Sequence, residues 1–170
     1  KNSLYPFLAV QNLLSSTDFN FGNLESPFSG TDAQSPDPNT FVFNAPTWAL
    51  SGLITSNFKV LNLANNHALN QGKDGLILTK NYLTQNNIQA LGTGLTPDEA
   101  WQGKVMEVRG LKIGFAGATY GPESPYLAQV SDTEQLKATI ADLKTSSDFI
   151  VITMHAGTEY TREANWQQKE

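Results

Sequence analysis

Two near-continuous apolar runs constrain the fold of this chain most strongly. Phe58–Ala64 and Asp148–Met154 carry apolar side chains at successive positions, so both faces of each predicted strand need cover. Lys73–Leu83 and Thr133–Leu143 instead place apolar residues at helical spacing. Strands that are buried on both faces and alternate with such helices are typical of a largely parallel sheet. The sequence therefore predicts an α/β fold.

The remaining segments extend this alternation. Further strands are predicted at Phe19–Leu24, Ile88–Leu91, Lys104–Val108 and Lys112–Ala118, with a hairpin joining the last two. Further helical segments are predicted at Tyr5–Leu14, Thr47–Ile54, Asp98–Trp101 and Thr161–Glu170. Ser26–Pro46 is rich in Ser, Pro, Asp, Asn and Gly, which predicts a long surface loop, and loops of that length are more often functional than idle.

Length and charge limit the function classes. At 170 residues the chain fits one domain, and its net charge of -5 argues against non-specific nucleic-acid binding and a polybasic membrane anchor. No apolar run approaches the roughly 20 residues of a membrane-spanning helix. The absence of cysteine leaves the redox compartment open, while abundant Asn, Gln, Ser and Thr hint at export. The chain begins at Lys1 and ends in an uncapped predicted helix, so we expect an internal piece of a longer protein.

Polar residues follow three of the predicted strands. They form the blocks Asn23-Leu24-Glu25, Asn65-Asn66-His67 and His155-Ala156-Gly157. In open α/β sheets, ligand sites are built at the carboxyl ends of the strands. The sequence therefore predicts a polar site at these strand ends.

The residue types in these blocks suit metal chemistry, although each has a simpler interpretation. The Glu25 carboxylate can ligate one cation or bridge two, or it can be an ordinary loop acid or helix cap. The amide of Asn66 is a neutral oxygen ligand, and the imidazole of His67 can ligate a metal or donate a proton near neutral pH. Alternatively, Asn65 and Asn66 form a turn and His67 caps the next helix. For His155 the alternative is a hydrogen-bonded strand end.

Two residues after the third block are weaker candidates. Glu159 and Tyr160 can line the same site mouth, but Glu159 also suits the first turn of the final predicted helix. The sequence contains no Walker motif, no Rossmann glycine fingerprint and no nucleophile elbow. Nucleotide-loop and serine-hydrolase mechanisms therefore have no support.

The order and content of three blocks resemble the bacterial capsule synthesis CapA family, also called poly-γ-glutamate biosynthesis (PGA_cap) proteins. This family is similar to the calcineurin-like metallophosphatases. The resemblance covers essentially the whole chain, and its most specific part is the Asn-Asn-His block. The blocks that carry it are Asn23-Leu24-Glu25-Ser26-Pro27, the segment from Leu63 to Gly72, and His155-Ala156-Gly157-Thr158-Glu159-Tyr160.

The resemblance implies a fold and a site. The fold would be a four-layer α/β/β/α metallophosphatase-like sandwich, with residues 1–170 forming a single CapA-like domain that lacks its first strand and C-terminal part. Glu25, Asn66 and His155 would ligate divalent metal ions (Mn, Fe, Zn or Mg), and His67 would be the catalytic proton donor. Asn65, Glu159 and Tyr160 would contact substrate. Asn70 stands where the family usually has Asp, which removes a negative charge.

Three functions follow from the resemblance. The first is a metal-dependent phosphoesterase-type hydrolase, and the second is a role in the synthesis, release or export of poly-γ-glutamate capsule. The third is a non-catalytic polymer-binding or assembly module, which Asn70 favours. The expected partners are an anionic polymer or a phosphoester substrate and other capsule-synthesis proteins. The expected location is extracellular or at the cell envelope of a bacterium.

Overall fold

The computed structural model describes residues 2–31, 41–165 and 168–169. The chain divides into two compact units. The first unit contains Lys1–Leu63 and His67–Ala90, and the second contains Ala64–Asn66 and Leu91–Glu170. The division passes between Asn66 and His67, so these neighbouring candidate residues belong to different units.

The first sheet has the strand order β1-β2-β3. Its strands are β1 (Asn20–Asn23), β2 (Phe58–Asn62) and β3 (Gln89–Leu91). β1 and β2 are parallel, and Asn23 lies opposite Asn62 at their carboxyl ends. The helices of this part are α1 (Gln11–Ser15), α2 (Leu50–Thr55) and α3 (Gly72–Gln85), with 3-10 turns at Tyr5–Val10 and Thr47–Ala49.

Helix α3 covers part of the core of the first unit. Leu76 and Leu83 are spaced by two helical turns, lie on one face and are fully buried. Buried Thr79 lies between them, and its hydroxyl accepts a hydrogen bond from Phe28 N–H at 2.8 Å and donates to the carbonyl of Gly75 at 2.7 Å. This pairing ties the segment that follows Glu25 to α3.

The second sheet has the strand order β4-β5-β6. β4 (Lys104–Val108) and β5 (Leu111–Thr119) form the predicted antiparallel hairpin, and Arg109 and Gly110 at its tip have φ of 50° and 82°. Two successive positive φ angles are typical of a type I′ turn, whose twist matches that of the strands. β6 (Phe149–His155) is parallel to β5 and places His155 opposite Thr119. The helices here are α4 (Pro97–Ala100) and α5 (Thr133–Ser146).

The α/β prediction is confirmed, because each predicted strand is present within about two residues of its expected bounds. The described residues form two three-stranded sheets, each with a parallel pair of strands. The four-layer stacking and the extent of the family domain stay predictions. No helix among the described residues is both long and apolar enough to cross a bilayer.

The two apolar runs differ in burial. Val60, Leu61 and Leu63 are fully buried, as expected for β2 and the residue after it. In contrast, Phe149 is 66% exposed and Met154 is 56% exposed, so the expectation that β6 is buried on both faces is wrong for the described part of the chain. In that part, β6 is an edge strand with β5 as its neighbour. Side chains of a strand point above and below the sheet, so the exposure of Phe149 and Met154 shows that no packed layer covers these two positions in the described part of the chain.

The predicted helix over Thr161–Glu170 does not begin at Thr161. Tyr160 has a φ of 59°, residues 161–165 are not helical, and residues 166, 167 and 170 lie outside the described residues. The Thr161 hydroxyl instead donates to the carbonyl of Thr158 at 2.8 Å, a local bond that competes with helix formation. Asn165 and Gln168 exchange two hydrogen bonds, in each of which the backbone N–H of one residue donates to the side-chain oxygen of the other.

Candidate functional site

Asn66 and His155 form a side-chain pair within the second unit. Oδ1 of Asn66 lies 2.9 Å from Nε2 of His155, although the two residues are 89 positions apart in the chain. Both residues are half-buried. The structure thus brings together two of the three residues for which the sequence predicts a metal-ligating role.

The end of β5 fixes the position of His155. The backbone carbonyl of His155 accepts hydrogen bonds from the Thr119 hydroxyl at 3.1 Å and from Tyr120 N–H at 3.0 Å. Thr119 is fully buried, and its oxygen also accepts from Gly121 N–H at 2.7 Å. These bonds hold the final residue of β6 in a defined orientation, so the imidazole starts from a rigid backbone.

Close backbone packing fixes the position of Asn66. A Cβ on Gly121 would lie only 3.2 Å from both N and Cα of Asn66, so glycine permits this approach. A Cβ on Gly92 would lie 2.4 Å from Cβ of Ala64, two residues before Asn66. Two glycines therefore allow the Ala64–Asn66 segment to pack closely against other residues of the second unit.

The separation of the two side-chain atoms fits a shared cation. Nitrogen and oxygen ligands lie about 2.0–2.2 Å from Zn²⁺ or Mg²⁺, so two neighbouring ligands of an octahedral ion are about 3 Å apart. The 2.9 Å between Oδ1 of Asn66 and Nε2 of His155 is the length of a hydrogen bond in which Nε2–H donates to the amide oxygen. It is also close to that ligand spacing, so a cation bound by this pair would take the place of the Nε2 proton. Among the residues that the structure describes, no group of three or more His, Cys, Asp or Glu side chains could hold a metal ion. The residues that fit a metal ion here are therefore one amide and one imidazole, those of Asn66 and His155.

His67 lies in the first unit, in the turn before α3. Its Nδ1 lies 2.8 Å from Oδ1 of Asn70, and the same oxygen accepts a hydrogen bond from Phe43 N–H at 2.7 Å. Because a backbone N–H can only donate, the atom of Asn70 that meets it is the amide oxygen. Nδ1 of His67 therefore donates its proton, and in the neutral ring the lone pair is on Nε2.

The remaining candidates have different surroundings. Glu25 is half-buried two residues past the end of β1, and the bond from Leu24 N–H to the carbonyl of Asn62 continues the strand ladder up to it. The Asn65 side chain is fully buried, which favours a structural role. Glu159 is exposed, and Tyr160 is 98% exposed on a turn with positive φ.

Sequence reasoning missed two contacts of His67, although it singled out Asn70 for the negative charge that this position lacks. Asn70 is the hydrogen-bond partner of its Nδ1, and the ring of Phe43 stacks on the imidazole with centroids 4.0 Å apart. The three-residue spacing between His67 and Asn70 is a usable signal, because residues at that spacing meet in a helical turn. Phe43 lies in the long predicted loop, 24 positions before His67, so periodicity carried no signal for it.

Comparison with known proteins agrees with these motifs. The family described as bacterial capsule synthesis protein PGA_cap matches residues 2–170. The chain belongs to this family.

Two relatives align with nearly the whole chain. The chain is 25% identical over 172 residues to the PGA biosynthesis protein CapA of Bacillus subtilis (strain 168), with 96% of the chain and 45% of the relative covered. It is 26% identical over 185 residues to the capsule biosynthesis protein CapA of Bacillus anthracis, with 97% of the chain and 43% of the relative covered. The chain thus spans less than half the length of these relatives.

A solved structure of lower similarity was also found. It is a Staphylococcus aureus protein provisionally assigned as a 5'-nucleotidase and crystallised with α-ketoglutarate. The identity is 21% and the TM-score is 0.46, with 66% of this chain and 24% of that chain covered.

Proposed function

We propose that this PGA_cap chain supplies ligands and a proton-transfer histidine to a metal-dependent phosphoesterase-type site in a protein of capsule or poly-γ-glutamate biosynthesis. The observation that carries the proposal is the 2.9 Å hydrogen bond between Nε2 of His155 and Oδ1 of Asn66, which brings two potential ligands together from distant parts of the chain. Family membership and the matched CapA relatives support the biological context.

Asn66 and His155 are the residues that would hold a divalent ion, with Mn, Fe, Zn and Mg as the candidates. Each contributes a neutral ligand, so a carboxylate is needed to balance the charge of the ion. We propose Glu25 as the source of that carboxylate, which is the role that the family resemblance implies for it. A bound divalent ion supplies an activated water and neutralises the charge that develops on a phosphoryl group.

His67 is the proposed proton-transfer residue. Its Nδ1–H donates to Asn70, so Nε2 is the nitrogen that gives a proton to a leaving oxygen or takes one from it. Asn70 provides an oxygen acceptor without a negative charge, which orients the imidazole but does not stabilise its protonated form as a carboxylate would. We therefore expect replacement of His67 to reduce turnover strongly and to change the affinity for metal much less.

The substrate class is an anionic polymer or a phosphoester. The chain carries a net charge of -5, so a polyanion needs metal ions or a few basic groups to hold it. Glu159 and Tyr160 extend into solvent and remain the proposed substrate contacts at the end of β6. The proposed location is extracellular or at the cell envelope, together with other capsule-synthesis proteins.

Metal analysis of the full-length protein tests the site. We expect the purified protein, or protein dialysed against Mn²⁺, to hold metal that His155→Ala and Asn66→Ala each reduce by at least about tenfold in affinity. Asn12→Ala is the matched control, because Asn12 is exposed on α1. His67→Ala is expected to retain metal and to lose hydrolysis of p-nitrophenyl phosphate and bis(p-nitrophenyl) phosphate.

Two results would contradict the proposal. A full-length protein that takes up no divalent metal from Mn, Fe, Zn or Mg solutions would favour the non-catalytic binding module. Metal-dependent turnover that survives both His67→Ala and Glu25→Ala would show that the chemistry lies elsewhere.

A further inference from the structure

We propose that Phe43 is a positioning residue for His67 and acts as a clamp on its imidazole ring. This inference rests on the proposed role of His67 in proton transfer. Phe43 comes from the long segment between β1 and α2 and reaches a histidine in the turn before α3. All of these residues belong to the first unit.

The first contact is between the two rings. The Phe43 and His67 centroids are 4.0 Å apart and the ring planes are inclined by 26°, which is a stacked arrangement. A stacked ring covers one face of the imidazole and opposes rotation about the bond that joins the ring to Cβ. The stack thus limits the directions in which Nε2 of His67 can point.

The second contact fixes the backbone of Phe43. Its N–H donates to Oδ1 of Asn70 at 2.7 Å, and its carbonyl accepts from Nε2 of Gln71 at 2.8 Å. Both side chains come from the same turn as His67. Phe43 is therefore held at its backbone and at its ring by three residues of one short segment, His67, Asn70 and Gln71.

Asn70 couples the two contacts. The oxygen that receives Phe43 N–H also receives the Nδ1 proton of His67 at 2.8 Å. The backbone of Phe43 thus fixes which end of the Asn70 amide faces the imidazole, while its ring fixes the plane of that imidazole. Loss of either contact lets the ring leave the orientation that proton transfer needs, and misplacement by about 1 Å can reduce a rate about 100-fold.

Turnover in the full-length protein is the first test, with p-nitrophenyl phosphate and Mn²⁺ as the probe. Phe43→Ala is expected to lower kcat about 10- to 100-fold and to change KM less than about twofold, because the change affects orientation and not substrate binding. Phe43→Tyr keeps the stack and is expected to restore kcat to within about threefold of the original. Phe41→Ala is the matched control, because Phe41 lies in the same segment and is 75% exposed.

NMR of His67 is the second test, and it needs no turnover. Stacking on Phe43 is expected to shift the carbon-bound ring protons of His67 upfield, and Phe43→Ala to abolish that shift. Spectra of the His67→Ala variant assign these signals. Phe43→Leu keeps apolar bulk at the position, so it serves if the alanine variant does not fold, and it is also expected to abolish the shift.

The two measurements separate the possible failures. If the full-length protein has no turnover, the proposed function fails, and the ring-proton shifts still decide whether Phe43 holds His67. Unchanged shifts in both Phe43→Ala and Phe43→Leu would overturn the clamp. An unchanged kcat in Phe43→Ala, with His67 still essential for turnover, would also overturn the positioning role.

Discussion

Replacing Gly92 with alanine should destabilise the second unit and displace Asn66. Gly92 has a φ of +73°, and a Cβ there would lie 2.4 Å from Cβ of Ala64 and 2.8 Å from the carbonyl oxygen of Gly117. Gly110 is a matched control in the same unit. Its φ is +82°, yet a Cβ there would meet nothing within 4 Å.

The two substitutions share one cost and differ in another. A left-handed backbone costs an alanine about 1–2 kcal/mol, and this is the whole expected loss for Gly110→Ala. Inserting a methyl group into a filled space costs a further ~1–3 kcal/mol, because the neighbours have to shift. The expected loss for Gly92→Ala is therefore about 2–5 kcal/mol.

Urea unfolding of the full chain, followed by circular dichroism, measures both losses. Mn²⁺ titration of the same variants shows whether movement of Ala64 reaches Asn66, and only Gly92→Ala should weaken binding. Equal losses of unfolding free energy in the two variants would refute the steric argument. Unchanged Mn²⁺ affinity in Gly92→Ala would show that the position of Asn66 does not depend on the packing of Ala64.

Two further predictions concern stability. Thr79→Val leaves Phe28 N–H buried without its acceptor and should lower the free energy of unfolding in urea by about 1–3 kcal/mol. Thr145→Val, at an exposed position, should change it by less than about 0.5 kcal/mol, and similar losses in the two variants would contradict the role of the buried bond. Burial lowers the pKa of Lys104, against an opposing effect of Glu99, so the unfolded chain binds more protons and stability should rise as pH approaches the usual lysine value of about 10.4. Lys104→Met should reduce that rise in urea unfolding measured at several alkaline pH values, and an unchanged pH dependence would show that another group causes it.

Local patterns were sufficient for much of the fold. The apolar run of β2, the helical spacing in α3 and the Arg109-Gly110 turn each depend on residues close together in the chain. Alternation of such strands and helices also predicts the α/β fold, because the apolar pattern of each segment indicates which of its faces has to be buried. The expectation for β6 was wrong in the described part because an apolar run shows that a strand can be covered but not which neighbour covers it.

The contacts within the candidate site were likewise not predictable from local sequence patterns. The sequence placed Asn66 and His155 at strand ends, and the family motif named them as candidates. Their 2.9 Å separation across 89 positions depends on the β5–β6 register and on the close approach that Gly92 and Gly121 permit. The final helical segment also differs, since a positive φ at Tyr160 turns the chain before Thr161.

What the sequence determined alone was therefore most of the strands and helices and the chemical types at the strand ends. Tertiary structure decided which of those groups meet. Phe43 contacts His67 because its backbone forms hydrogen bonds with the side chains of Asn70 and Gln71, which lie in the same turn as His67. Asn70 also accepts a hydrogen bond from His67. Periodicity records the burial of a side chain within its own element, whereas a contact between distant residues depends on how the intervening chain closes.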